Sequence, residues 1–117
     1  TAISSRLTAD EAAYIINDCG AKLFISSIEK GALATELLDD MSAVQSRLMV
    51  NGTVSGYDSY EALRDQMSQY PIVDEAAGTD MLYSSGTTGQ PKGVKIPLPE
   101  ILKVLVIASL IDSPPLI

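Results

Sequence analysis

The chain has 117 residues, 46% apolar and 20% charged, a composition that suits one soluble globular unit and leaves no room for two. Its formal net charge of −7 excludes a general nucleic-acid or anionic-membrane surface, because neither attracts an acidic body. Histidine is absent and cysteine occurs once, at Cys19, which removes Ser-His and Cys-His nucleophiles, an internal disulfide and the commonest zinc ligand.

A single thiol predicts a reducing, cytoplasmic setting. The start of the chain is polar and has no signal-peptide pattern. The acidic pairs Asp10–Glu11, Asp39–Asp40 and Asp74–Glu75 read as solvated surface, since nothing in the pattern brings them together as an acid and a base. Cys19 falls late in a helical pattern and reads as a packed side chain.

In chain order, Thr8 and Glu11 open the first helix as a capping box, a hydroxyl three positions before a carboxylate. Ala12, Ile15, Ile16 and Cys19 follow at helical spacing, and Gly20 predicts the stop. Lys22–Ser26 predicts a strand whose apolar centre, Leu23–Phe24–Ile25, suits cover on both faces. A second helix is expected from about Ser27 to Met41, with Leu33, Leu37, Leu38 and Met41 as its stripe and Gly31 as its weak point. Arg47–Val50 predicts a second strand, ended by the turn pair Asn51–Gly52. A third helix is expected from near Asp58, with Glu61 three residues on. Tyr60, Leu63, Met67 and Tyr70 would share one face, and Pro71 would close the segment. Asp80–Ser84 predicts a third strand. The apolar run Ile101–Ile111, broken by Lys103 and Ser109, is far short of the ~20 residues of a membrane span.

Strands alternating with helices of this length favour parallel pairing through right-handed crossovers. The expected fold is therefore α/β: a small, three-layer-like body with a short, mostly parallel sheet. The polar loop after Tyr83 would leave a strand's C-terminal end, the edge where open α/β sheets bind ligands.

That loop lies in Tyr83–Val94, YSSGTTGQPKGV. Gly86 and Gly89 let main chain approach a ligand with no Cβ in the way. Ser84, Ser85, Thr87 and Thr88 set four hydroxyls beside successive N–H groups, which can form an anion-binding concavity. Lys92 adds a mobile positive charge, and Pro91 stiffens the approach to it. The combination suits a polyphosphate. It is not a Walker A loop, because Lys92 precedes Gly93 rather than a hydroxyl residue, and the dinucleotide Gly-x-Gly-x-x-Gly pattern is absent. By spacing alone, a plain flexible loop remains an equal reading.

Over these twelve positions the segment resembles, without a break, the signature loop of the adenylate-forming superfamily, which includes acyl-CoA synthetases, luciferases and peptide-synthetase adenylation domains. Upstream, LTADEAAYIINDCGAKLFI (Leu7–Ile25) resembles the helix–strand unit that precedes the loop in fatty-acid–CoA ligases. The resemblance implies that residues 1–117 are part of an AMP-binding N-terminal domain, with the phosphate-binding loop at 83–94. It implies ATP, Mg²⁺ and CoA as cofactors and a carboxylic acid as substrate. ATP and the acid would give an acyl adenylate and pyrophosphate, and the CoA thiol would then displace AMP. Carried over by position, Ser84, Ser85, Gly86, Thr87, Thr88 and Gly89 would wrap the β and γ phosphates. Thr87 or Thr88 would lie near magnesium. Lys92, the candidate catalytic residue, would offset charge on the departing pyrophosphate.

The superfamily's Tyr-Gly-x-Thr-Glu and Thr-Gly-Asp segments are not found here, nor is a histidine after the loop. The expectation is therefore a fragment of a ligase, silent in catalysis by itself, whose exposed apolar surfaces, Ile101–Ile111 above all, favour a homo-oligomer. The alternatives are a non-catalytic nucleotide-binding or structural module, or part of an adenylation domain that serves a carrier protein.

Overall fold

The computed structural model describes residues 1–84 and 90–98. The first helix, α1 (Ala9–Asp18), forms as its capping signal predicts. The Thr8 hydroxyl accepts the Glu11 N–H at 3.3 Å and donates to the Glu11 carboxylate at 3.0 Å. Ala12, Ala13, Ile15 and Ile16 are buried. At the other end Gly20 takes φ +67°. Its N–H bonds to the Asn17 carbonyl and the Ala21 N–H to the Ile16 carbonyl, a Schellman closure that a residue with a Cβ enters only with strain. Cys19 is partly buried, and its thiol donates to the Ile16 carbonyl.

Strand β1 (Leu23–Ser27) leads into α2 (Gly31–Leu37), flanked by single tight turns at Ile28–Lys30 and Leu38–Asp40. The one long helix expected here is thus three shorter pieces, and Gly31 stands at the first junction, close against Val54. The predicted stripe still forms: Leu37 and Met41 are buried, with Leu33 and Leu38 packed against them.

Strand β2 (Ser46–Val50) pairs in parallel with β1, Ile25 opposite Leu48, and also with the two-residue β3 (Asp58–Ser59). This gives a parallel sheet in the order β1-β2-β3. Its inner face carries Phe24, Met49 and Tyr57 against α1 and α2. Met49 is fully buried, and the Phe24 and Tyr57 rings meet edge to face at 6.3 Å. The Tyr57 hydroxyl donates to the Ala34 carbonyl at 2.8 Å, so this polar group is satisfied inside the core. The opposite face of β1 is open: Leu23 is 51% and Ile25 46% exposed. Cover on both faces of β1 is therefore not complete within the described residues: α1 and α2 pack on the Phe24 side, while on the other side Leu48 of β2 is buried and Leu23 and Ile25 are not.

Helix α3 (Tyr60–Asp65) is capped by Ser59, whose hydroxyl accepts the Ala62 N–H, rather than by Asp58. It ends after six residues, so the expected apolar face is cut short and Met67 and Tyr70 are exposed. Glu61 lies in the first turn of this helix. Its carboxylate accepts the Asn51 N–H at 2.7 Å and so holds the Asn51–Gly52 turn, where Asn51 takes φ +65°.

The segment 81–95 departs from the expected topology. Strand β4 (Met81–Tyr83) does not join the parallel sheet. It pairs antiparallel with β5 (Gly93–Lys95) as a separate two-stranded ribbon. The fold is α/β with a short, mostly parallel sheet, and the loop rises from a hairpin beside that sheet. Among the described residues no helix is long and apolar enough to cross a membrane. The run Ile101–Ile111 lies outside the described residues.

Candidate functional site

The site is built on the hairpin. In the ladder Met81 faces Lys95, Leu82 faces Val94 and Tyr83 faces Gly93. One step further, the Ser84 N–H donates to the Lys92 carbonyl at 3.0 Å and the Lys92 N–H donates to the Ser84 hydroxyl oxygen at 3.3 Å. Two candidate site residues eight positions apart are thereby joined at the root of the loop. Ser84, Ser85, Gly86, Thr87, Thr88 and Gly89 are the expected phosphate wrap; of these, the five residues 85–89 lie outside the described residues, and so do both threonines expected near magnesium.

The chemistry of the described part fits an anionic ligand. Accepting the Lys92 N–H leaves the Ser84 hydroxyl proton available for an acceptor such as a phosphate oxygen. The Lys92 side chain is exposed, so its ammonium can move to meet a charged group. Among the described residues no three His, Cys, Asp or Glu side chains cluster as metal ligands.

Gly93 is a glycine for a steric reason. Its φ is not positive, but a Cβ there would lie 2.6 Å from the Met81 Cε and 3.0 Å from the Tyr83 Cζ. The flexible Met81 end can withdraw, and the tyrosine ring would have to give by a few tenths of an ångström. The place of the ring matters because the Tyr83 hydroxyl donates to the Asp18 carboxylate at 2.6 Å, across 65 residues of sequence. The phenol is held above its ordinary range, first by burial and then by the hydrogen bond and charge of Asp18. Beside this contact lies an open cleft of about 540 Å³, lined among others by Asp10, Glu11, Tyr14, Tyr83, Ser84 and Pro91. Sequence reasoning found Ser84 and Lys92 from the motif. It missed Asp18, which carries no local signal of its partner.

Comparisons with known proteins identify the family. The family described as "AMP-binding enzyme" matches residues 1–110. The long-chain-fatty-acid–CoA ligase FadD13 of Mycobacterium tuberculosis is 38% identical over 99 residues, covering 79% of this chain and 18% of the ligase. A long-chain-fatty-acid–CoA ligase of Thermus thermophilus is 30% identical over 109 residues, covering 92% of this chain and 20% of that protein. In structure, the chain is similar to the anthranilate CoA ligase AuaEII, solved with anthranoyl-AMP, with a TM-score of 0.65 and 28% identity over 79% of this chain and 18% of that one. The chain thus spans about a fifth of the length of these relatives. With the uninterrupted Tyr83–Val94 motif, these matches place the chain in the AMP-binding, adenylate-forming enzyme family, where it aligns with one stretch of the CoA ligases named above.

Proposed function

We propose that the chain supplies the ATP phosphate-binding loop of an ATP-dependent carboxylate–CoA ligase. The observation that carries this reading is the hairpin root, where Ser84 and Lys92 are bonded to each other at the two ends of the glycine- and hydroxyl-rich segment. In the proposal Ser84 and Lys92, joined at the root, present a hydroxyl and an ammonium to the same ligand.

In the proposed reaction a substrate carboxylate oxygen bonds to the α-phosphorus of ATP. The bond from that phosphorus to the bridging oxygen breaks, and pyrophosphate leaves with its electrons. Lys92 offsets the charge that builds on the leaving group, while Ser84 and residues 85–89 hold the β and γ phosphates. Thr87 or Thr88 would lie near Mg²⁺, whose role when bound is to neutralise phosphate charge. The CoA sulfur then bonds to the acyl carbon and AMP leaves. The relatives at 38% and 30% identity are named for long-chain fatty acids and the solved relative for anthranilate, so a fatty acid is the first acid to test.

The 117 residues by themselves are expected to bind ATP without completing adenylation, since they span so small a share of their relatives. The test is carboxylate-dependent exchange of pyrophosphate into ATP. Exchange is expected from the complete ligase and is expected to fall steeply with Lys92→Ala. Exchange by the isolated chain would overturn the expectation of silence. A complete protein that shows no exchange with any acid, fatty acids included, would overturn the ligase reading.

A further inference from the structure

We infer that Asp18 is a positioning residue for the phosphate-binding loop: by accepting the Tyr83 hydroxyl it fixes the point from which the loop departs and to which it returns. The inference rests on the function proposed above and adds to it a residue that lies outside the motif.

Three independent observations converge on this bond. The first is its geometry. The Tyr83–Asp18 distance is 2.6 Å, a short hydrogen bond with an ionisable acceptor, and it ties the hairpin to α1. The second is the placement of Asp18. It is the last residue of α1, where the helix dipole disfavours a carboxylate, and the last turn holds no base to offset it. A residue that costs the helix stability at its own position is best understood by what it does elsewhere, and the Tyr83 hydroxyl is the donor it meets. The third is Gly93. Gly93 pairs with Tyr83 in the ladder, and a Cβ there would crowd the ring that makes this bond.

The consequence is mechanical. Tyr83 immediately precedes Ser84, and Ser84 is bonded at both its N–H and its hydroxyl to Lys92. Fixing Tyr83 therefore fixes Ser84, and through it the backbone of Lys92. A loop that grips phosphate by its N–H groups works only when those groups are held in place before the ligand arrives. Asp18 does not touch the nucleotide in this reading; it holds the base on which the loop stands.

The test uses the full chain in two arms. Amide hydrogen exchange at Ser84 and Lys92 is followed without nucleotide, and ATP·Mg²⁺ affinity is measured by calorimetry well below the melting temperature. Tyr83→Phe and Asp18→Ala are each expected to speed exchange at both amides by about tenfold while Met49 stays protected. Each is expected to weaken ATP·Mg²⁺ by about three- to tenfold, and the double variant to be no weaker than either single one. Asp18→Asn keeps an acceptor oxygen and is expected to bind within about twofold of the wild type. Unchanged exchange in Tyr83→Phe overturns the anchor. Faster exchange with unchanged ATP affinity overturns its role in binding, as do losses that add in the double variant. A wild-type chain that binds no ATP·Mg²⁺ overturns the functional reading itself, a result distinct from failure of the exchange arm.

Discussion

Ser84 and Lys92 close the phosphate-loop hairpin on each other, with the Ser84 N–H on the Lys92 carbonyl and the Lys92 N–H on the Ser84 hydroxyl. The relationship gives the motif a physical meaning beyond its composition. The hydroxyl and the ammonium belong to neighbouring positions on one rung, so both can face the same ligand. The strands below that rung then decide how well the loop performs.

Gly93 is the most exacting position in those strands. Gly93→Ala is expected to shift the Tyr83 ring by a few tenths of an ångström and so weaken its 2.6 Å bond to Asp18, because the new Cβ would lie 3.0 Å from the phenol carbon. The expected outcome is the Tyr83→Phe phenotype without any change at Tyr83. Spectrophotometric titration checks this: the raised tyrosine ionisation assigned to Tyr83 should return toward its ordinary value of 10.0. A titration identical to the wild type would show that the ring tolerates the methyl group.

Glu61 makes stability sensitive to acid. Its carboxyl is held below the ordinary value of 4.5, first by the Asn51 N–H that it accepts. A lowered value in the folded state means that the unfolded chain binds more protons in that window. The stabilisation is complete above the ordinary value and is lost as pH falls through the folded one. Glu61→Gln is expected to flatten the stability profile below about pH 4.5, with little change in its slope near neutrality. Urea midpoints measured from acid to neutral pH test this.

Tyr57 acts at the other end of the scale. Burial raises its phenol, and the charge of Arg47 opposes the shift in part. The unfolded tyrosine loses its proton first as pH rises, so the folded state loses stability from about pH 10 upward. Tyr57→Phe should reduce that alkaline slope and leave the part that the raised Tyr83 phenol contributes. It should also cost about 1–2 kcal/mol at neutral pH, because the hydroxyl no longer donates to the Ala34 carbonyl in the core. Denaturant unfolding at pH 7 and at pH 10.5 or so separates the two effects.

Where a structural signal is local, the sequence was a good guide. The Thr8–Glu11 cap, the Gly20 stop and the first two strands all follow from neighbours within a few residues. Where tertiary pairing decides, it was not. Strands β3 and β5 have two and three residues, and a partner rather than any pattern of their own brings them into being. The partner of β4 lies beyond the loop, in a stretch that Pro91 and Gly93 make unlike a strand, so parallel pairing was the natural but incorrect expectation for 81–83. Glu61 read as a cap because the spacing suited one; the turn at Asn51, ten residues earlier, took its carboxylate instead. In the site, the motif made Ser84 and Lys92 legible. Asp18 was not, because only the fold brings α1 to the hairpin.

The central claim is that this chain grips the phosphates of ATP, and calorimetric titration of the chain with ATP·Mg²⁺, wild type beside Lys92→Ala, tests it most directly. The expected result is saturable binding that weakens by about tenfold when the ammonium is removed, the loss of one charge-assisted contact at an exposed site. Equal binding by the two proteins, or none by the wild type, would contradict it.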